Sequence, residues 1–349
     1  MFPVRKQFVG LDIGSSSVKA VVLKEQGKGS WALAHLGIEQ LPPEVIVDGA
    51  IMDAPVVVDA IRRLFTKQKI KFKKVVISVS GHALIVKKIS LPQMSREELA
   101  ESIHWEAEQY IPFDIEDVNI DFHLMEGGED KTSSEMDVIL VAVKKDKIND
   151  YTGLVRQAGL TPVIVDADGF AIFNQFEINS ERQQGTIALI DIGASVMNIN
   201  VIQDGKHMLY RDISIGGNQY TDAIQKDLNV SFDQAEGLKM GEEVKGIHPD
   251  DVLSIIESIN EDIAMEIQRS FDYHKTTSAN ARVDHVILTG GASKTRGLDE
   301  FLTKKLGINI EFGDPFKRIS YNPKKFDPVY VKEIAPLFAV GVGLGIRRD

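Results

Sequence analysis

The chain has no cysteine in its 349 residues. That excludes disulfides and cysteine-ligated zinc. It has no excess of positive charge. Forty Lys and Arg stand against 51 Asp and Glu, a net charge of −11. This argues against a general nucleic-acid binder, which normally shows a basic face. The eight histidines are scattered without metal-ligand spacing, and no Ser-His-Asp set can be argued. No apolar run reaches the about twenty residues needed to span a bilayer. The nearest is IAPLFAVGVGLGI, 334–346, with glycines at 341, 343 and 345 that allow close backbone packing. It predicts a buried helix near a ligand cleft rather than an anchor. The opening MFPVRKQ runs directly into a strand and leaves no room for a signal peptide. These absences predict a cytoplasmic protein. The length suits two domains, each with its own core.

What is present begins with FVGLDIGSSSVKAVVLKEQG, 8–27. Phe8 to Ile13 reads as a buried strand, and Val18 to Leu23 as its return. Between them Gly14, Ser15, Ser16 and Ser17 form a small polar tip. Its backbone amides are unobstructed and its hydroxyls can donate, so it can wrap a phosphate. Lys19 adds a positive charge. Asp12 suits a hydrated Mg²⁺, which prefers carboxylate oxygen and keeps its waters. Alone, the stretch reads equally as an ordinary serine-rich turn. A second copy changes the weight. IALIDIGASVMNINVIQDG, 187–205, places Asp191 on Asp12 and repeats the tip with Gly193, Ala194 and Ser195. A repeat half a chain away is too long for a solenoid and suits a duplicated half-molecule. Two facing Asp-Ile-Gly hairpins would grip a polyphosphate from both sides, with one carboxylate each toward a shared metal.

The remaining pattern supplies each half with cover. Trp31 to Gln40 predicts a strand, Asp53 caps a helix to Lys69, and Val75 to Ser80 predicts a buried strand. Residues 84–160 read as an inserted β-α-β-β-α unit of roughly 75 residues. Its helix, Glu98 to Tyr110, follows a Ser95–Glu98 capping box. Residues 126–135 predict a polar loop. Its last helix runs from Asp146 to Ala158. Val163 to Asp166 and Gly169 to Phe176 then predict a strand and a helix. After the second hairpin, Met208 to Ile215 is a strand ending at Gly216-Gly217. The following helix offers an N-terminus that favours an anion, although a simple turn fits as well. Glu236 and Lys239 share a helical face, the usual setting of a surface ion pair. Asp250 to Lys275 is a long amphipathic helix. Val283 to Thr289 meets Gly290-Gly291-Ala292-Ser293 and a helix to Leu306, an arrangement that brings backbone close to a flat ligand such as an adenine edge.

The ordered set DIGSSSVKA, DIGASVMN, SIGGNQYTDAI, AEGLK and ILTGGASKTRGL resembles the actin, Hsp70 and sugar-kinase ATPase superfamily over essentially the whole chain. The implied class is an α/β actin-like ATPase fold of two duplicated halves around a nucleotide cleft. By that resemblance ATP and Mg²⁺ are the cofactors, and Asp12 and Asp191 face the metal through water. The two tips, Lys19 and Gly216-Gly217 hold phosphates. Glu236 and Lys239 approach ribose and adenine, and Gly290, Gly291 and Ser293 line the adenine pocket.

Within the superfamily, EELAESIHWEAEQYIPFDIEDVNIDF, 97–122, is similar to the PilM family of type IV pilus assembly proteins, relatives of the division protein FtsA. The resemblance implies an FtsA-type inserted subdomain, 1C, at 84–160. Subdomain 1A would comprise 1–83, 161–185 and 336–349, subdomain 2A 186–228 and 283–335, and subdomain 2B 229–282. It implies a scaffold of the inner-membrane pilus platform that takes the N-terminal tail of PilN in a groove between 1A and 1C. Other platform and motor components would be further partners. Membrane contact would be only indirect, no nucleic acid is implied, and self-association stays open. The second tip is poorer in glycine than a DIGGGTT-like relative, and no water-activating Gln or His is evident, so the expected ATPase activity is slow at most. The competing readings are a small-metabolite kinase and a filament-forming FtsA-like ATPase on the same fold.

Overall fold

The strand Val9–Ile13 is buried along its whole length, as a continuous apolar run requires. It sits inside a six-stranded sheet of the computed structural model, which describes residues 7–27, 29–125, 134–180, 184–277 and 282–348. The strand order is Thr161–Ala167, Lys74–Val79, Val9–Ile13, Ser17–Gly27, Ser30–Gln40 and Ile319–Ser320. Val9–Ile13 pairs antiparallel with Ser17–Gly27 and parallel with Lys74–Val79.

The second sheet repeats this wiring. Its order is Lys206–Ile213, Met197–Gln203, Thr186–Ile192, His285–Thr289 and Asn309–Phe312. Thr186–Ile192 again pairs antiparallel with the strand that follows it and parallel with one from later in the chain. The register repeats too: Asp12 lies opposite Lys19, and Asp191 opposite Asn198. The duplication expected from the two Asp-Ile-Gly copies is therefore a duplication of sheet topology.

The last apolar run joins the halves. Ala335–Phe338 forms a 3₁₀ turn and Ala339–Ile346 a buried α-helix. The stretch 328–346 is long and apolar enough by composition to cross a membrane, which corrects the expectation from its uninterrupted apolar core alone. Its second part, from Ala335 onward, is instead packed inside the protein. A Cβ on Gly343 would stand 1.8 Å from the Ala171 carbonyl oxygen, and one on Gly10 would stand 2.3 Å from the Gly341 oxygen. Only hydrogen side chains permit these approaches, so backbone replaces side chain at the helix–helix and helix–strand contacts.

The inserted unit carries a three-stranded antiparallel sheet ordered Leu84–Pro92, Glu135–Lys144, Val118–Leu124. The helix Arg96–Glu108 covers it, with Ser95 and Glu98 forming the expected reciprocal cap. Leu99, Ile103 and Ala107 are its buried stripe. The expected loop 126–135 lies outside the described residues except for its last two positions. The helix Lys145–Gln157 departs from the expected inserted unit. Tyr151, Leu154 and Val155 are buried in the core of the first half, beside Val57, Ile61 and Leu64. The predicted continuous helix after Ser293 is also broken. Ala292–Lys294 is a 3₁₀ turn, and the α-helix restarts at Leu298 after Gly297 at φ 75°.

Candidate functional site

The two hairpin tips close in the same way. Gly14 N donates to Ser17 O at 3.1 Å, and Gly193 N donates to Val196 O at 2.9 Å. Each tip follows directly from its aspartate at the end of a buried strand. Lys19, directly opposite Asp12, places Nζ 3.0 Å from Asp12 Oδ2. Asp12 and Ser17 are buried, and Ser16 is exposed.

Asp191 accepts from the Thr289 hydroxyl at 2.7 Å. Burial pushes its carboxyl up to about 7, opposed by the Thr289 bond and reinforced by Asp12 and Asp168. Asp168 starts the helix Asp168–Asn179. Its own carboxyl is also raised, by burial and then by Asp12, against hydrogen bonds from Ser78 and Ser80. Three carboxylates thus share one poorly solvated region, in which Asp12 adds to the cost of ionising both Asp168 and Asp191. Such a region fits a cation. Among the described residues no three His, Cys, Asp or Glu converge as a direct metal cage. Asp168 escaped sequence reasoning because a lone aspartate at a helix start reads as an ordinary first-turn acid.

The second tip meets the helix Gly217–Leu228. Gly217 N donates to Gly193 O at 3.0 Å and Asn218 N to Ala194 O at 2.8 Å. Asn218 Nδ2 reaches Ser195 Oγ at 3.2 Å. A Cβ at Gly216 would fall 2.6 Å from Gly193 O. Gly216-Gly217 is therefore where the helix start is pressed against the tip, and its first amides are spent on tip carbonyls rather than left for an anion.

Glu236 and Lys239 are not a surface pair. Lys239 is buried and donates to Glu236 Oε1 at 2.5 Å and to Thr221 Oγ1 at 3.1 Å. The Thr221 hydroxyl in turn donates to Glu236. A Cβ at Gly217 would lie 3.1 Å from Ala292 Cβ and 3.6 Å from Lys239 Nζ. The fold thus brings Gly217, Lys239 and the Gly290-Gly291-Ala292 turn together. Gly290, at φ 88°, presses against Ile192, where a Cβ would meet the carbonyl oxygen at 2.3 Å. Gly291 is exposed. Ser293 is buried, and its hydroxyl donates to Gly290 O at 2.7 Å.

A profile described as Type IV pilus assembly protein PilM matches residues 10–349. The solved PilM-PilN type IV pilus biogenesis complex contains a similar chain. The TM-score is 0.88 with 29% identity, over 98% of this chain and 98% of that one. MreB 5 of Spiroplasma citri bound to AMPPNP aligns with TM-score 0.55 over 98% of this chain and 95% of that one. At 15% identity that likeness shows the fold. The cell division protein FtsA of Bacillus subtilis (strain 168) is 25% identical over 254 residues, 66% of this chain. That alignment spans 57% of the relative's length.

Proposed function

This chain belongs to the PilM family of type IV pilus assembly proteins and has the actin-like ATPase fold, and we propose from that premise that it is an ATP-dependent scaffold of the pilus platform. The carrying observation is the duplicated Asp-Ile-Gly tip, closed by the same backbone bond in each half and facing a shared group of carboxylates. Asp12 and Asp191 would hold Mg²⁺ through its waters. The tips around Gly14–Ser17 and Gly193–Ser195, with Lys19, would hold phosphates. Glu236, Lys239, Gly290 and Gly291 would take ribose and adenine. When bound, the metal supplies charge that lets Asp191 ionise at neutral pH. Burial, reinforced by Asp12 and Asp168, otherwise opposes that ionisation.

The partner reading extends the name of the related complex to this chain. The cytoplasmic tail of a PilN-like membrane protein would bind beside the inserted unit, close to its junction with the first half. The protein would thereby be held at the inner membrane from the cytoplasmic side. Trp105 supports an exposed recognition element there. It is 76% exposed on the helix Arg96–Glu108, so it is not part of the unit's packing. Acidic Glu97, Glu101 and Glu108 are exposed on the same helix. An aromatic among acids suits a peptide with aliphatic and basic residues.

Fluorescence anisotropy of a labelled PilN tail, with and without Mg-ATP, tests this. Tight binding that strengthens with nucleotide is expected, and Trp105→Ala should weaken it. Unchanged binding in Trp105→Ala would move the peptide site elsewhere. No binding by the intact protein would remove the partner reading.

A further inference from the structure

The chain is acidic overall, yet residues 62–74, RRLFTKQKIKFKK, carry seven Lys and Arg and no acid. Arg63 and Lys67 are neutralised by Glu39, and Arg62 pairs with Asp59. Among the described residues, Lys69, Lys71, Lys73 and Lys74 have no carboxylate within ion-pair distance, and all four are exposed.

The backbone arranges these lysines. The helix Ala54–Lys67 is closed by bonds from Lys69 N to Thr66 O at 3.1 Å and from Ile70 N to Phe65 O at 3.0 Å. This exit needs a left-handed residue, normally glycine. Lys69 occupies it at φ 53°. The next residues alternate. Ile70 is buried and Phe72 is half-buried, with its ring edge-on to His35. Lys69, Lys71 and Lys73 are left facing outward. Arg62, Thr66 and these three lysines border a recess of about 270 Å³ closed by Ala158 and Leu160. Lys74 opens the strand that runs parallel to Val9–Ile13, whose far end carries Asp12. The basic face therefore lies at the opposite end of the sheet from the carboxylates.

We propose that this face docks on an anionic phospholipid surface. The proposal rests on the reading of a scaffold held beside the membrane by a partner's tail. Charge complementarity carries it. A protein of net charge −11 is repelled by an anionic leaflet except through a concentrated basic face, which also fixes its orientation. The composition points the same way. The unpaired cations are all lysine, whose hydrated point charge suits a diffuse anionic surface. A single carboxylate or phosphate is better gripped by the bidentate fork of arginine. A left-handed lysine where glycine fits more easily indicates that the charge, not the turn, is what that position requires.

The test is co-flotation of the full chain with vesicles, without any partner peptide. The vesicles are phosphatidylcholine alone, or phosphatidylcholine with phosphatidylglycerol in about a 2:1 ratio. Wild type should float with the anionic vesicles only, and added salt should release it. Replacing Lys69, Lys71 and Lys73 together by Gln should weaken this by about a hundredfold, at about fivefold per lysine. Lys69→Gly should weaken it about fivefold while the thermal midpoint holds or rises, because glycine relieves the turn. Equal flotation of wild type and the triple variant overturns the proposal. So does equal binding to neutral vesicles, or no flotation of wild type. Lysine-dependent binding to a single-stranded oligonucleotide, with no binding to vesicles, overturns it in favour of nucleic acid. Mg-ATP and labelled-tail binding by the triple variant should match wild type. Loss of tail binding in wild type would sink the partner reading and leave the flotation result standing.

Discussion

The backbone amide of Gly81, in the first half, donates to Asp212 Oδ2, in the second, at 2.7 Å. The other Asp212 oxygen accepts from Asn198 Nδ2, also at 2.7 Å. Asn198 is the residue directly opposite Asp191. A second contact, between His82 Nε2 and Ser214 Oγ at 2.8 Å, lies beside it. The halves are thus joined by polar groups one step from the second Asp-Ile-Gly tip.

Burial, with Asp168 nearby, pushes the Asp212 carboxyl up to about 7 despite hydrogen bonds from Asn198, Gly81 and Tyr210. An unfolded aspartate titrates near ~3.9. The folded chain keeps this proton over an interval in which the unfolded chain has lost it. The contribution to stability is therefore greatest at acid pH and falls as pH rises from about 4 to about 7. His207, pushed down to about 4 by burial, gives the opposite slope up to about 6.5. Comparison with Asp212→Asn separates the two. By urea denaturation, the variant should gain on wild type as pH rises, by up to about 4 kcal/mol. A difference that does not change with pH would show that Asp212 is ionised throughout.

Asp12→Ala and Asp191→Ala should each weaken Mg-nucleotide binding by up to about a hundredfold, or roughly 1–3 kcal/mol, since each removes one of several contacts. Calorimetry at fixed Mg²⁺ checks this. Wild-type affinity in both variants would separate the paired aspartates from the nucleotide site.

Turnover of ATP by the isolated chain should be slow. Neither tip supplies a Gln or His to position water, and Asp168 lies near both aspartates. Whatever steady-state hydrolysis is measured should fall by at least about tenfold in Asp168→Asn, with nucleotide affinity nearly kept. A turnover of several per second from the protein alone would contradict this, as would full activity in the variant.

Gly343→Ala should destabilise the fold by about 1–3 kcal/mol or prevent its accumulation, because the added carbon meets the Ala171 backbone and neither element can give way cheaply. The midpoint of thermal unfolding, followed by circular dichroism, reads this out. Gly153→Ala is the control, with nothing within 4 Å of the added carbon and an unchanged or higher midpoint expected.

Local pattern alone determined much of this protein. Strand–Asp-Ile-Gly–strand appears twice, and its periodicity fixes which residues are buried and that the halves are copies. The Ser95–Glu98 cap, the Asp53 cap and the long helix Pro249–Thr277 were legible for the same reason, since their signals lie within a few residues of one another. Tertiary structure decided what the charges do. Lys239 has the spacing of a surface ion pair, and only the packing of the helix Phe232–Met240 against Gly217–Leu228 buries it on Thr221. Asp168 gains its meaning from Asp12 and Asp191, which are distant in sequence and adjacent in space. The first amides of the helix Gly217–Leu228 looked available to an anion until the second tip was seen to occupy them. The helix Lys145–Gln157 follows the inserted sheet in sequence, yet its apolar side belongs to the first core. Burial patterns are written in short-range periodicity. The solvation and partners of a polar group depend on which distant element is folded against it, and no local window contains that.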